Sequence, residues 1–187
     1  APRPSPLAPS PSSLIPHPFP MTHRIILFRG MNTGGVRAPV VQQRAMAAAM
    51  GLKNPRTLLA SGNLVVESDA EPEALEHDIE AAMEKTFGLR VAAMVRTPAQ
   101  WASLIAANPF PGEAAAHPSK VLVMVMKDGI RPGAIEALRA FAVGDERVDT
   151  AAGALFFWHP DGLGQSVMAG KATPRLIGMG TGRNWNT

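Results

Sequence analysis

An α+β architecture of two α/β plaits in tandem is what this sequence predicts, and three observations carry it. Strand-like and helix-like segments alternate from Thr22 onward in the order βαββαβ. A second round of the same order opens at the apolar run Val121 to Met126, after a polar, proline-containing stretch at 112–118 that reads as a linker. The repeat is one of element order, not of residues. A single mixed α/β sheet is the alternative arrangement.

Residues 1–20 hold eight prolines and four serines without hydrophobic periodicity, so a disordered or polyproline-like leader is expected there. It lacks the continuous apolar centre of a secretory signal, and Met21 stands where the folded pattern begins, as a natural start would. Arg24 to Phe28 is a short apolar run of β type. After the loop at 29–35, Pro39 suits the first turn of a helix that runs through Val40, Val41 and an alanine/methionine-rich stretch to a stop at Gly51. Thr57 to Ala60 and Leu64 to Glu67 form a hairpin about Ser61-Gly62-Asn63.

The second helix has the clearest signal, because Leu75, Ile79, Met83 and Phe87 recur every four residues while the acids take the other faces. Pro72 suits its first turn, Glu71 and Glu73 favour its N-terminus, and Gly88 closes it. Arg90 to Arg96 supplies a fourth strand. Thr97-Pro98 opens a third helix, with Trp101, Leu104 and Ile105 on one face, that ends near Asn108-Pro109-Phe110-Pro111. In the second round, Pro132 to Ala142 is a helix, and Arg147 to Ala151 pairs with Ala154 to His159 across Ala152-Gly153. Residues 168–177, broken by Gly170 and Pro174, hold at most a short helix. Two such rounds correspond to two ferredoxin-like (βαββαβ, alpha-beta plait) domains, at 21–97 and 119–187, joined by a helix and linker at 98–118.

The chain has 187 residues and a net charge of +3, and the distribution of that charge is uneven. Residues 1–66 carry seven arginines or lysines and no acid, whereas residues 67–84 carry eight acids and no base. A positive field around the loop at 29–35 follows if the acidic helix faces elsewhere. The chain contains no cysteine, which removes disulfides and thiolate chemistry and fits a reducing, cytoplasmic setting. No apolar run reaches the ~20 residues that span a bilayer, so no membrane partner is expected.

Three segments are candidate binding elements. Arg29-Gly30-Met31-Asn32-Thr33-Gly34-Gly35 follows the first strand, and its backbone N–H groups together with Arg29 and Arg37 make an anion cradle near the start of a helix. It is neither a Walker loop nor a dinucleotide fingerprint, and a tight crossover turn is the competing reading. Ser61, Gly62 and Asn63 are usual turn formers, and their hydroxyl and amide also suit a neutral donor set for the same ligand. Arg183, Asn184, Trp185 and Asn186 offer polar groups beside an aromatic platform for a base or sugar. The competing reading there is a helix start capped by Thr181, with Trp185 anchored in the core. The five histidines are scattered, so neither a metal nor another cofactor is expected.

Four segments in order, ILFRGMNTGG (26–35), LLASGNLVVES (58–68), NPFP (108–111) and TGRNWNT (181–187), resemble the bacterial family known as domain of unknown function 1697. That resemblance spans residues 21–187 and implies two α/β plaits in a small cytoplasmic protein, with no activity attached. The chain departs from the family pattern at Val36-Arg37, where a lysine often follows the glycines, and at Ala60, where glutamine is usual.

The expectation from the residues is a binding module for a phosphate-bearing ligand, a nucleotide or nucleic acid. An enzyme acting on a small phosphorylated or acidic substrate is the alternative, with Arg29 orienting the anion and Ser61, Asn63 or Arg183 polarising it. Against that stands the lack of any residue in a general-base setting. A purely structural protein-interaction module is the third.

Overall fold

The computed structural model describes residues 22–31, 37–59 and 62–187. The expected leader at 1–20 lies outside them. The first round comprises β1 (Thr22–Phe28), α1 (Val40–Ala49), β2 (Lys53–Leu58), β3 (Asn63–Ser68), α2 (Pro72–Phe87) and β4 (Ala93–Arg96). Two helices follow, α3 (Pro98–Ala106) and α4 (Pro111–Ala116). The second round comprises β5 (Val121–Met126), α5 (Ala134–Arg139), β6 (Arg147–Ala151), β7 (Ala154–Trp158), α6 (Val167–Lys171), α7 (Pro174–Ile177) and β8 (Gly180–Asn184).

These elements form an α+β protein with two four-stranded antiparallel sheets, ordered β2-β3-β1-β4 and β6-β7-β5-β8. The single mixed sheet is therefore not the arrangement found. Side chains alternate across each strand, and both faces are occupied, which is why the central strands read as unbroken apolar runs. Ile26 and Phe28 face α1 and α2, where Met46, Leu75, Ile79 and Met83 complete a first core. Leu122, Met126, Leu155 and Phe157 face the opposite way, against Leu138, Met168 and Ile177.

The remaining faces meet each other. Leu27 and Met94 from the first sheet join Val121, Val123, Val125, Phe156 and Trp158 from the second in a shared middle core, closed by Leu104, Phe110 and Ala114. The last two of these lie at the start of and within α4, a stretch the sequence presents as linker. Pro111 occupies the first turn of that helix and three alanines propagate it, so weak local signals become helix once Phe110 and Ala114 have a core to enter.

Three further elements differ from expectation. Strand β2 begins at Lys53, not Thr57, and carries Pro55 with a register shift between Lys53 and Arg56, features an edge strand tolerates. Strand β4 is shorter than 90–96. Residues 180–184 form a strand on β5, not a helix start: glycines at 180 and 182 let the backbone lie close to β5, where an added Cβ would meet Met126 Sδ at 2.8 Å or Leu122 Cδ1 at 3.2 Å.

The acidic helix α2 is not wholly a solvated face. Glu76 is buried, accepts from Val95 N–H at 2.8 Å, and lies 3.5 Å from Arg96 and 3.7 Å from Lys127, while Lys127 also pairs with Glu80. Burial raises the Glu76 pKa, against the lowering effects of the Val95 N–H, Lys127 and Arg96. Because Lys127 follows β5 directly and Arg96 also donates to Met126 O, this cluster stitches the first round to the second. Among the described residues no helix is long and apolar enough to cross a membrane, and no cluster of three metal-ligating side chains occurs.

His159, just beyond β7, is 1% exposed and stacks on Phe157 at 5.6 Å, with Nδ1 3.5 Å from Glu146 Oε1. Burial pushes its pKa below the ordinary 6.5. The unfolded chain therefore takes up a proton that the folded one resists, and stability falls as pH drops through about 6.5. His159→Phe, which keeps the ring stack, is expected to flatten the decline of the urea midpoint between pH 7 and 5. An unchanged decline would count against this assignment.

Candidate functional site

Three segments distant in sequence meet at the end of β1. Phe28 N–H donates to Gly62 O at 2.9 Å, which draws the β2–β3 hairpin onto the start of the glycine loop. Gly62 has a φ of +79°, and a Cβ there would lie 2.8 Å from Met31 Cβ, so both the turn and the close approach demand glycine. Strand β8 arrives from the other sheet: Thr181 Oγ1 donates to Phe28 O at 3.3 Å, and Arg29 Nε donates to Gly180 O at 3.0 Å.

Arg183 joins all three. Its Nε donates to Asn63 Oδ1 at 2.6 Å, and its Nη1 donates to Thr181 Oγ1 and Gly182 O, both at 2.8 Å. Its Nη2 donates to Phe28 O at 3.1 Å and Gly62 O at 3.2 Å. The five N–H groups of a guanidinium are thereby all engaged. Asn63 is oriented for this by its own Nδ2, which donates to Leu58 O at 3.0 Å. Each acceptor is a neutral oxygen. Arg183 is only 7% exposed, and burial pulls its pKa down to about 10, which leaves it charged at neutral pH. A buried cation held by neutral dipoles projects positive potential into whatever space adjoins it.

That space is a cavity of about 420 Å³ where the end of β1 meets β8 and the α6–α7 segment, walled by Arg29, Gly30, Met31, Met124, Pro174 and Arg183 among others, with no aspartate or glutamate among the described residues that line it. Arg29 is exposed, and among the described residues nothing accepts from its two Nη nitrogens. One guanidinium thus fixes the architecture while the second, among the described residues, keeps its two Nη nitrogens for solvent or a ligand.

The sequence-derived candidates divide accordingly. Arg29, Gly30, Gly62, Asn63 and Arg183 lie together, with Arg29, Gly30 and Arg183 on the cavity wall. Asn32, Gly34, Gly35 and Ser61 lie outside the described residues. Asn184 pairs with Leu122 in the sheet, the Trp185 ring packs beside Phe156 at 6.5 Å while its backbone N–H donates to Val121 O at 2.9 Å, and Asn186 is exposed. None of those three lines the cavity. Met124, Pro174, Gly180 and Thr181 were not expected as ligand contacts, and Met31 only as part of the glycine loop; the close approach of β8, which Gly180 and Gly182 permit, has no counterpart in the expected helix start.

An α+β protein of two antiparallel sheets with an arginine-lined, acid-free cavity where the end of β1 meets β8 is the class this geometry defines. Residues 21–156 match the family described as "Protein of unknown function (DUF1697)", and the chain belongs to it. The matched span ends before 181–187, so the terminal TGRNWNT lies beyond it. The fold is similar to that of a solved structure described as conserved bacterial protein SP0830 from Streptococcus pneumoniae, with a TM-score of 0.70 and 18% sequence identity. That likeness covers 89% of this chain and 94% of the other. Comparison with curated protein sequences found no match.

Arg183→Lys tests the architecture. A lysine has three donors on a compact charge and no planar fork, so at least two of the five hydrogen bonds are lost, at about 2–4 kcal/mol of stability in urea unfolding. A loss below about 1 kcal/mol would show that the guanidinium is not the tie between the sheets.

Proposed function

We propose that this protein is a binding module for a phosphate-bearing ligand, a nucleotide or nucleic acid, and that the ligand sits in the cavity with its phosphate against Arg29. The observation that carries this reading is the wall itself: two guanidinium groups and no carboxylate, with one of the two cations buried and matched only to neutral oxygens. An anion is the species whose entry lowers the cost of that arrangement. Met31, Met124 and Pro174 supply an apolar side suited to a sugar or base. Asn32, Gly34 and Gly35 of the glycine loop, with Ser61 of the hairpin, belong to the same proposal as neutral donors. Gly62, Asn63 and Arg183 enter it as positioning groups, because their polar atoms already hold one another.

In this reading each round is a ferredoxin-like plait, since the β4-β1-β3-β2 and β8-β5-β7-β6 orders with helices between suit that class. The domains run over 21–97 and 119–187 with 98–118 between them, and the lack of cysteine fits a cytoplasmic setting.

Calorimetric titration with phosphate, nucleoside monophosphates and short RNA is expected to give saturable binding that weakens as salt rises. Arg29→Ala should abolish that binding while shifting stability by no more than about 1 kcal/mol, because its side chain is exposed. Failure of every anion to bind, or full retention of binding in Arg29→Ala, would overturn the proposal.

A further inference from the structure

A second cavity of about 380 Å³ adjoins the first and shares Pro174 and Gly178 with it. Its wall comes from residues 128–132, which follow β5 and precede α5. They hold the place in the second round that the glycine loop holds in the first. Two backbone hydrogen bonds fix this loop against the segment before β8: Lys127 N–H donates to Met179 O at 2.8 Å, and Arg131 N–H donates to Ile177 O at 3.1 Å. The contact is close enough that a Cβ on Gly178, whose φ is +99°, would stand 2.7 Å from Gly129 O. The wall between the cavities is therefore thin backbone.

Arg131 is exposed on this second wall, and among the described residues nothing accepts from its guanidinium. Three surface arginines are held, Arg90 by Glu84, Arg147 by Glu113 and Arg139 by Asp149, whereas Arg37 and Arg175, like Arg131, are exposed with no partner among the described residues. Arg29 and Arg131 are anchored three residues apart on one strand of chain, at Gly180 and Ile177, so their anchor points lie within about 10 Å of each other. Beside Arg131 stands Asp128, an acceptor for a hydroxyl or amine and a poor neighbour for a bare phosphate.

Resting on the phosphate reading given above, we infer that the two cavities take a single ligand with two separated phosphates: a nucleoside flanked by 5′ and 3′ phosphates, one on Arg29 and the other on Arg131. The nucleoside lies across Pro174 and Gly178, where Asp128 accepts from a sugar hydroxyl or base amine. This unit occurs both as a free nucleoside bisphosphate and as the repeat of an RNA strand.

Calorimetry on the full chain with adenosine 3′,5′-bisphosphate, AMP and ADP tests the inference. The bisphosphate is expected to bind about tenfold or more tighter than AMP, ADP should match AMP because its phosphates are adjacent, and Arg131→Ala should erase the bisphosphate advantage while leaving AMP affinity unchanged. Equal affinity for the bisphosphate and AMP, or an advantage that survives Arg131→Ala, overturns the two-phosphate site but leaves the Arg29 site standing. Absence of binding by all three overturns both. A four-nucleotide RNA separates the sources: tighter binding than the bisphosphate, lost in Arg131→Ala, marks a strand, and weaker binding marks the free nucleotide.

Discussion

The guanidinium of Arg183 is the constraint on which the cavity depends. It reaches from β8 of one sheet to the end of β1 and the β2–β3 hairpin of the other, and it satisfies Phe28 O, Gly62 O and Asn63 Oδ1 in one planar group. Without it, Gly62 O would keep only the Phe28 N–H and Phe28 O only the Thr181 hydroxyl, and the edge where the glycine loop departs would lose most of its tie to β8. Arginine suits the role because it stays charged when buried and presents five donors in a fixed fork. Its charge is the consequence that matters for function. With only neutral oxygens around it, the potential is not cancelled locally, and it falls on a cavity whose other cation, Arg29, keeps two nitrogens for solvent or a ligand.

Several acids of the chain are matched by nearby cations. Glu76 and Glu80 are drawn to Lys127 and Arg96, and Glu113 and Asp149 are taken by Arg147 and Arg139. The two stitches divide the labour: one is a mixed-charge cluster that neutralises itself, the other a lone cation with dipoles. Between them runs the shared apolar core of Leu27, Met94, Val123 and Phe156, which supplies most of the driving force and needs no polar partner.

Much of this was legible in the sequence because strong local signals coincide with burial. The four-residue spacing of Leu75, Ile79 and Met83 marked α2, the apolar runs marked β1 and β5, and the glycine-containing hairpins marked where strands turn back. What local signals could not reveal is what tertiary contact decides. Glu76 sits in a run of acids that reads as solvated, yet Val95 N–H and Lys127 draw it inward. Residues 180–184 have poor strand propensity, and only pairing with β5 makes them a strand. Arg183 was picked out as a ligand contact, but its burial and the engagement of all five donors follow from a sheet-to-sheet geometry that spacing along the chain does not encode. Trp185, read either as an aromatic platform or as an anchor in the core, packs beside Phe156.

The central question is whether the acid-free cavity where β1 meets β8 is where an anion binds. Titration of the isotopically labelled protein with inorganic phosphate, followed by amide and arginine Nε resonances, locates that event directly. Saturable shifts centred on Arg29 Nε, Gly30, Thr181 and Gly182, with the Arg183 Nε signal retained, are the predicted result. Shifts confined to other basic surfaces such as Lys53 and Arg56, with the cavity residues unmoved, would contradict it.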